Sequence, residues 1–467
     1  MYYRITDEVA LRSWTDRGFA YYRKGMRKPL PLPAHLAKTM LRCDGEHDIE
    51  TTPTVMYLVL KGLIEPCGAG EGPSSWSAYH RCDNVCFPMI NLMVTGRCNF
   101  NCLHCFNAAD NAALMTEWSF ADLLDLLDQA QECGVTSFQL TGGEPMVHPR
   151  FLDLVREIYR RDMTVFALNT NGSHLTQEVL DELRSIGCDP EMKISFDGIG
   201  FHDWIRRRKG AEESALAAMR LCVENAFRVQ ANTQVNRKNV HTMMPTARLL
   251  DDIGVHAMRL IRTTEVPRWE ANAPDACLGL EEYYARMLDF CRAYAASGMG
   301  MDIETWQFVG MRPQDRSFYL KPVKFASGSH HNGGYCCNCT HIMAAVTSEG
   351  EIVPCNQMSG YLLKLGISLG NLHTTSLREL LSDGAYTRIA NMDAQDLAAA
   401  GHKCATCPHF SYCGGGCRAL GLLFSGETTT RGLTYEDPAK CLFFEGGWYD
   451  RVREALDGWT NLSPIDA

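Results

Sequence analysis

Between residues 88 and 265 the apolar positions follow two alternating rhythms. Short apolar runs at 90–95 (INLMVT), 137–141, 164–170, 192–197, 228–235 and 256–263 predict strands. Between them, apolar residues recur three and four apart at 120–133, 151–161, 175–187, 213–225 and 243–254, which predicts amphipathic helices. Strand and helix in strict alternation imply βα units: an α/β protein with a parallel sheet, open or barrel-like, and ligands at the carboxyl ends of its strands.

The flanks read differently. At the front, AHLAKTMLRCDG has helical spacing closing on Gly45, and VMYLVLKGLIEP reads as a helix running into a short strand. The Gly/Pro/Ser stretch 67–75 reads as a linker. These features define a small winged-helix-like module over 1–80, ahead of a core at 88–305. After a helix at 280–296 the alternation stops, and 306–467 is rich in cysteine, glycine and turn residues. Such a tail is expected to be held by something other than a large apolar core, and metal clusters would serve.

Composition changes this picture at one point. The 467 residues are 46% hydrophobic and 21% charged, ordinary for a folded protein that needs no disulfides to hold it. No apolar run approaches a membrane span and the N-terminus lacks a signal peptide's apolar core, so a cytoplasmic protein is expected. The net charge of −10 argues against a nucleic-acid partner. Locally it reverses: Arg12, Arg17, Arg23, Lys24, Arg27, Lys28, Lys38 and Arg42 face the single acid Asp16, a candidate basic surface. Twenty-one cysteines in an intracellular chain point to metal or redox chemistry. Cys133, Cys188, Cys222 and Cys291 stand singly and read as small buried hydrophobes.

The first cysteine cluster, GRCNFNCLHCFN, places Cys98, Cys102 and Cys105 directly after the first core strand. Three thiolates in one loop suit three irons of a [4Fe–4S] cluster, leaving the fourth iron open. Zinc is the plainer alternative, with His104 as a fourth ligand, but zinc usually takes paired C-x2-C hairpins. The C-x3-C-x2-C loop in this place resembles the radical S-adenosylmethionine (radical SAM) superfamily. The resemblance implies a partial (β/α)6 TIM-like barrel. It also implies that SAM chelates the open iron and is cleaved to a 5′-deoxyadenosyl radical that takes a hydrogen from the substrate.

Further segments match in order. Gly142, Gly143, Glu144 and Pro145 follow the second strand and are similar to the family's segment that meets the SAM amino group; paired glycines allow close approach and a carboxylate suits an ammonium. Asn169 and Asn171 end the third strand, where similar segments line the SAM cleft. Ser195 ends the fourth, and with Arg206 would bind the SAM carboxylate; Asp197 either meets a ribose or fixes the loop. Phe106, after the third cysteine, joins the cofactor side by the same resemblance.

The tail's C-x2-C-x5-C-x3-C, followed by Cys441 and preceded by Gly350-x4-Cys355, resembles the SPASM domain. That domain carries two auxiliary [4Fe–4S] clusters, three in all for this chain; zinc ribbons remain the alternative for the C-x2-C part. The resemblance gives Cys404, Cys407, Cys413 and Cys441 to one. Cys355, Cys417 and one or two of Cys336, Cys337 and Cys339 go to the other; distance to Gly350 favours Cys337, with Cys339 beside it.

The front module is similar to domains that bind the leaders of ribosomally made precursor peptides. Together these matches imply a peptide maturase fed electrons by a reductant such as flavodoxin or ferredoxin. A thioether crosslink from a substrate cysteine to a carbon is the first expectation. Carbon–carbon crosslinking, epimerisation or formylglycine formation by an anaerobic sulfatase-maturing enzyme are the alternatives. An iron–sulfur redox regulator is the rival of another class, and it has no use for the segments around Glu144 and Ser195. Tyr335 and Glu265 are unranked candidates for substrate contact, and Arg259 and Arg262 face the cleft or the sheet exterior according to register.

Overall fold

The computed structural model describes residues 1–105, 116–265, 267–324 and 335–465. Phe106 therefore lies outside the described residues, as does the side chain of Cys339.

The front module has both expected helices, Ala34–Met40 and Pro53–Leu60, the second capped by the Thr52 side chain with proline at its first position. Of the strands around them, only the short one after the second helix was expected. β1 (Tyr2–Ile5) pairs antiparallel with β5 (Ile64–Cys67). β2 (Val9–Ser13), β3 (Ala20–Arg23), β4 (Leu30–Pro31) and β6 (His80–Arg81) form a second sheet, in the order β4-β3-β2-β6. Tyr3, Val9, Leu11, Met40, Val55, Leu58 and Ile64 make its core.

Several cations of the basic run have partners within the protein, though only Arg12 of the eight is buried. Arg12 is buried and donates to the carbonyls of Trp76 and Ala78, and Arg23 donates to those of Lys61 and Gly62. Lys24 pairs with Asp162 at 3.6 Å and Arg27 stacks over Phe166. Trp14 and Tyr22 donate to the carbonyls of Cys133 and Gly134. The contacts of Trp14, Tyr22, Lys24 and Arg27 seat the module against the start of β8 (Ser137–Thr141) and β9 (Thr164–Thr170); Arg12 is withdrawn from the expected basic face, while Lys24, Arg27, Lys28, Lys38 and Arg42 stay exposed.

β7 (Met89–Met93), β8, β9, β10 (Glu191–Ser195), β11 (Val229–Val235) and β12 (Ala257–Arg262) run parallel in chain order, with bounds close to those expected. β13 (Asp302–Thr305) adds in parallel, and β14 (Val309–Arg312) and β15 (Ser317–Leu320) follow as an antiparallel hairpin. On the other edge, β16 (Met343–Val346) pairs parallel with β7 and carries β17 (Ile352–Val353), while β18 (Thr460–Asn461) pairs with β15. The result is one twelve-stranded sheet.

Two consequences follow. Because β16 continues the sheet, Val346, Ile352, Leu377, Leu420, Phe443 and Trp448 of the tail pack into the same apolar core as the barrel. The expectation of a tail without a large apolar core is thus overturned. Second, the middle strands alternate between a face packed on the helices and a more polar one. Met192, Ile194, Ala231, Met258 and Leu260 turn toward the helices, and the alternate residues line the concave face, or lumen. No described helix is long and apolar enough to cross a membrane.

Candidate active site

The loop leaving β7 brings Cys98, Cys102 and Cys105 into one cluster with Phe100 and Ala211. Burial pushes the Cys98 thiol up to about 12 and raises Cys102, which the Arg206 guanidinium opposes. Buried thiols of this kind ionise only against a strong cation, which is the donor chemistry an iron cluster uses. Among the described residues, no three His, Cys, Asp or Glu side chains converge as a single-ion site requires. Three thiols with no fourth protein ligand beside them among the described residues suit a cluster with one open iron.

The paired glycines pack closely against the cysteine loop. A Cβ on Gly142 would stand 2.4 Å from the Thr95 carbonyl oxygen, and one on Gly143 2.3 Å from that of Arg97. The amides of Gly143 and Glu144 donate to the same two carbonyls at 2.7 and 2.9 Å. The close approach is thus between the end of β8 and the cysteine loop. Pro145 opens a short turn behind it, Pro145–Val147.

Glu144, fully buried, accepts from the Thr170 hydroxyl and the Asn171 amide, both at 2.8 Å. Burial pushes its carboxyl up to about 7 despite those hydrogen bonds. A buried carboxylate left part-neutral is a receptor for a cation such as an amino group. Asn171 donates to Asn99 of the cysteine loop at 2.8 Å, and Asn169 lies on the lumen face beside Lys193.

Asp197 and Arg206 are given to each other. Arg206 donates from Nε to Oδ2 at 2.6 Å and from Nη2 to Oδ1 at 3.1 Å, and both side chains are buried. Oδ1 also accepts from the Gln234 amide, and the Asp197 amide donates to His202 Nδ1. Burial pushes the Asp197 carboxyl up, but Arg206 and His202 outweigh it and hold it well below the usual range. Arg206 Nη1 reaches Cys102 Sγ at 3.8 Å, so the pair braces the cysteine loop. Asp197 thus takes the Nε/Nη2 edge of the guanidinium that the sequence reading offered to SAM. Of the two readings of Asp197, loop fixing is the one the structure supports. Sequence reasoning missed His202, Gln234 and Asn239, which donates to the Asp197 carbonyl; a polar side chain gives no sign of being inward until the fold is known. Ser195 stays on the lumen face at the end of β10.

In the tail, Cys404, Cys407, Cys413 and Cys441 line a single cavity together with His409, Phe410, Asp437 and Lys440. Cys337, Cys355 and Cys417 form the other set: burial raises both Cys355 and Cys417, and each feels Cys337 nearby. Asp437 accepts from the Cys417 amide at 2.8 Å and ties the two sets together. Cys336 turns away from that set, donating from Sγ to the Asp393 carbonyl and packing with Leu397, Phe410 and Cys404 of the first set. The donor chemistry fits two iron clusters. Cys337→Ala is accordingly expected to cost the reconstituted protein about four irons per chain, and Cys336→Ala none. Equal losses, read by iron analysis, would remove Cys337 from the ligand set.

Tyr335 stacks on His341 and bridges to Asp393, away from the lumen. Arg262 turns outward, donating to the Leu278 carbonyl and pairing with Glu265, which leaves Arg259 as the arginine of the lumen.

Comparison with known proteins agrees with this geometry. Residues 92–250 match the Radical SAM superfamily, and residues 336–408 match the iron–sulfur cluster-binding SPASM domain. The pre-heme d1 synthase of Dinoroseobacter shibae is 26% identical over 362 residues, 75% of this chain and 85% of that protein. The PqqA peptide cyclase of Gluconobacter oxydans is 24% identical over 383 residues, 81% and 96% of the two chains. The fold is similar to that of Streptococcus suis SuiB bound to precursor peptide SuiA, with a TM-score of 0.64 at 13% identity, over 94% of this chain and 99% of that one. With three thiols gathered in the loop after the first core strand and two more cysteine sets in the tail, this chain carries a radical SAM domain over residues 92–250 and a SPASM domain over residues 336–408.

Proposed function

We propose that this enzyme is a peptide maturase, which removes hydrogen from a ribosomally made precursor peptide and joins the carbon so activated to a cysteine sulfur as a thioether. The observation that carries the reading is the front module, seated on the barrel and followed by both cysteine regions in one chain. The likeness to SuiB, whose structure holds a precursor peptide, runs over this whole arrangement. Cys98, Cys102 and Cys105 would hold the SAM-binding cluster, and the two tail sets the auxiliary ones. When bound, the clusters and SAM would supply the hydrogen-atom abstraction and the acceptor for the second electron.

The protein's own part is placement. Glu144 would receive the SAM amino group, Ser195 and Asn169 would face it from the lumen, and Asp197 with Arg206 would hold the cysteine loop in position. Asn171 would serve the same loop through Asn99.

The leader would bind on the front module. β5 has a strand partner on one side only among the described residues, and the adjacent helix leaves Met56, Tyr57 and Leu60 exposed, Leu60 by 83%. An extended peptide adding to that edge would cover them. Leu60→Glu is therefore expected to weaken binding of a fluorescent leader by roughly tenfold or more. SAM cleavage without peptide should be unchanged. Anisotropy titration checks this, and an unaltered affinity would move the leader elsewhere. Point changes suit the question better than deleting the module, which would strip the cover from Cys133 and Gly134.

The pre-heme d1 synthase match favours a second reading, in which a tetrapyrrole replaces the peptide. One experiment separates them. The cluster-loaded enzyme is given SAM, dithionite and either a cysteine-containing precursor peptide or a porphyrin, and products are read by mass spectrometry. The maturase reading requires a peptide lighter by two hydrogens whose cysteine no longer alkylates. A modified porphyrin with an unchanged peptide overturns it.

A further inference from the structure

One row of the sheet register crosses the lumen at the height of Ser195. Ser195 pairs with Asn232, Asn232 with Arg259, Arg259 with Glu304, Glu304 with Gly310, and Gly310 with Tyr319. The charges along this row do not balance. Glu304 is held by Lys321 Nζ at 3.1 Å and accepts from the Tyr319 hydroxyl at 3.3 Å. Tyr319 reaches it by lying flat over Gly310, where a Cβ would meet the ring at 2.2 Å. Lys193 leans on Glu191 at 3.3 Å, and His256 Nε2 contacts the same carboxylate at 3.0 Å. Asp302, at the foot of β13, lies in the field of Arg312 and His256.

That leaves Arg259. Its Nε stands 3.9 Å from Glu304 Oε2, beyond hydrogen-bond reach, and has no hydrogen-bond partner among the described residues although buried. The rest of its side chain is 42% exposed, on the concave face of the sheet. A guanidinium presented this way is a bidentate receptor for a carboxylate, stronger in a partly enclosed cleft than in open water.

We propose that Arg259 is a specificity residue that receives an acidic side chain of the substrate, so that the peptide carries Asp or Glu beside the modified position. The inference rests on the peptide reading above. The cysteine loop leaves β7 while Arg259 stands on β12, so the lumen between them is the space for SAM and the reacting residue. Lys321 and Tyr319 keep Glu304 turned toward themselves, which leaves the Arg259 fork open.

The test uses the cluster-loaded protein with SAM in excess and no reductant. Equilibrium dialysis compares N-acetyl-glutamate N-methylamide with the isosteric glutamine amide. Wild type is expected to hold the glutamate probe roughly tenfold more tightly. Arg259→Gln should abolish the preference, Arg259→Lys should keep part of it, and SAM affinity should be unchanged in both. Equal retention of the probes, retention of neither, or a preference that survives Arg259→Gln overturns the proposal. A loss of SAM affinity in step with the change also overturns it, because Arg259 would then serve the carboxylate of SAM. Dialysis involves no turnover, so a glutamate preference with no peptide ever modified counts against the peptide reading alone. A modified peptide without the preference counts against Arg259 alone.

Discussion

Replacing Arg206 by methionine is expected to cost the folded state about 3–5 kcal/mol and to abolish SAM cleavage. Asp197 is fully buried, and Arg206 is its nearest counter-charge, through two hydrogen bonds at 2.6 and 3.1 Å. Without the guanidinium the carboxylate must either stay charged in a dry site or take up a proton. Either choice disturbs the Gln234 amide and His202, which are arranged around an anion. The damage reaches the cluster because Arg206 Nη1 faces Cys102 Sγ. Denaturant melts of Arg206→Met, Asp197→Asn and the double variant check this, and the double variant should lose less than the sum of the two. If Arg206 offered its fork to SAM instead, as the sequence suggested, Arg206→Met would melt like wild type and lose only SAM affinity.

The second large effect is a pH dependence. The Glu144 carboxyl is pushed up from its ordinary 4.5 to about 7, by burial above all. The native state therefore binds this proton more tightly than the unfolded chain, and stability is lost as pH rises from about 4.5 through about 7. A shift of that size corresponds to about 3 kcal/mol. Glu144→Gln removes the titration. In the SAM-free protein, the wild type is expected to lose about 3 kcal/mol more than Glu144→Gln between about pH 4.5 and pH 8. Melts at the two ends of the range supply the comparison, and parallel curves would mean that Glu144 is solvated. SAM binding should reverse the trend, because an ammonium beside the carboxylate stabilises its ionised form. The residue costs stability where it serves the ligand.

The cysteine spacing and the strand–helix alternation were legible because both are local. A C-x3-C-x2-C loop after a strand needs only a few consecutive residues to declare its chemistry, and the six core strands came within a few residues of their observed bounds. The front strands β1 to β3 escaped notice because YYRI, VALRS and AYYR are short and flanked by charge. The partners of individual polar residues were misread more often. Arg12 reads in the sequence as part of a basic surface, yet it is buried. The double glycine reads as room for a ligand, and it also makes room for the Thr95–Arg97 backbone.

The sequence by itself determined the α/β alternation, the three cysteine sets and the radical SAM character, since each depends on residue type at short spacing. Only the tertiary structure decided that the tail continues the barrel's sheet, that Cys337 rather than Cys336 stands with Cys355 and Cys417, and that Arg259 faces the lumen while Arg262 turns away. Those facts depend on register and on which groups meet across long stretches of chain. A shift of one residue in β12 would exchange the two arginines, and local periodicity does not carry that information.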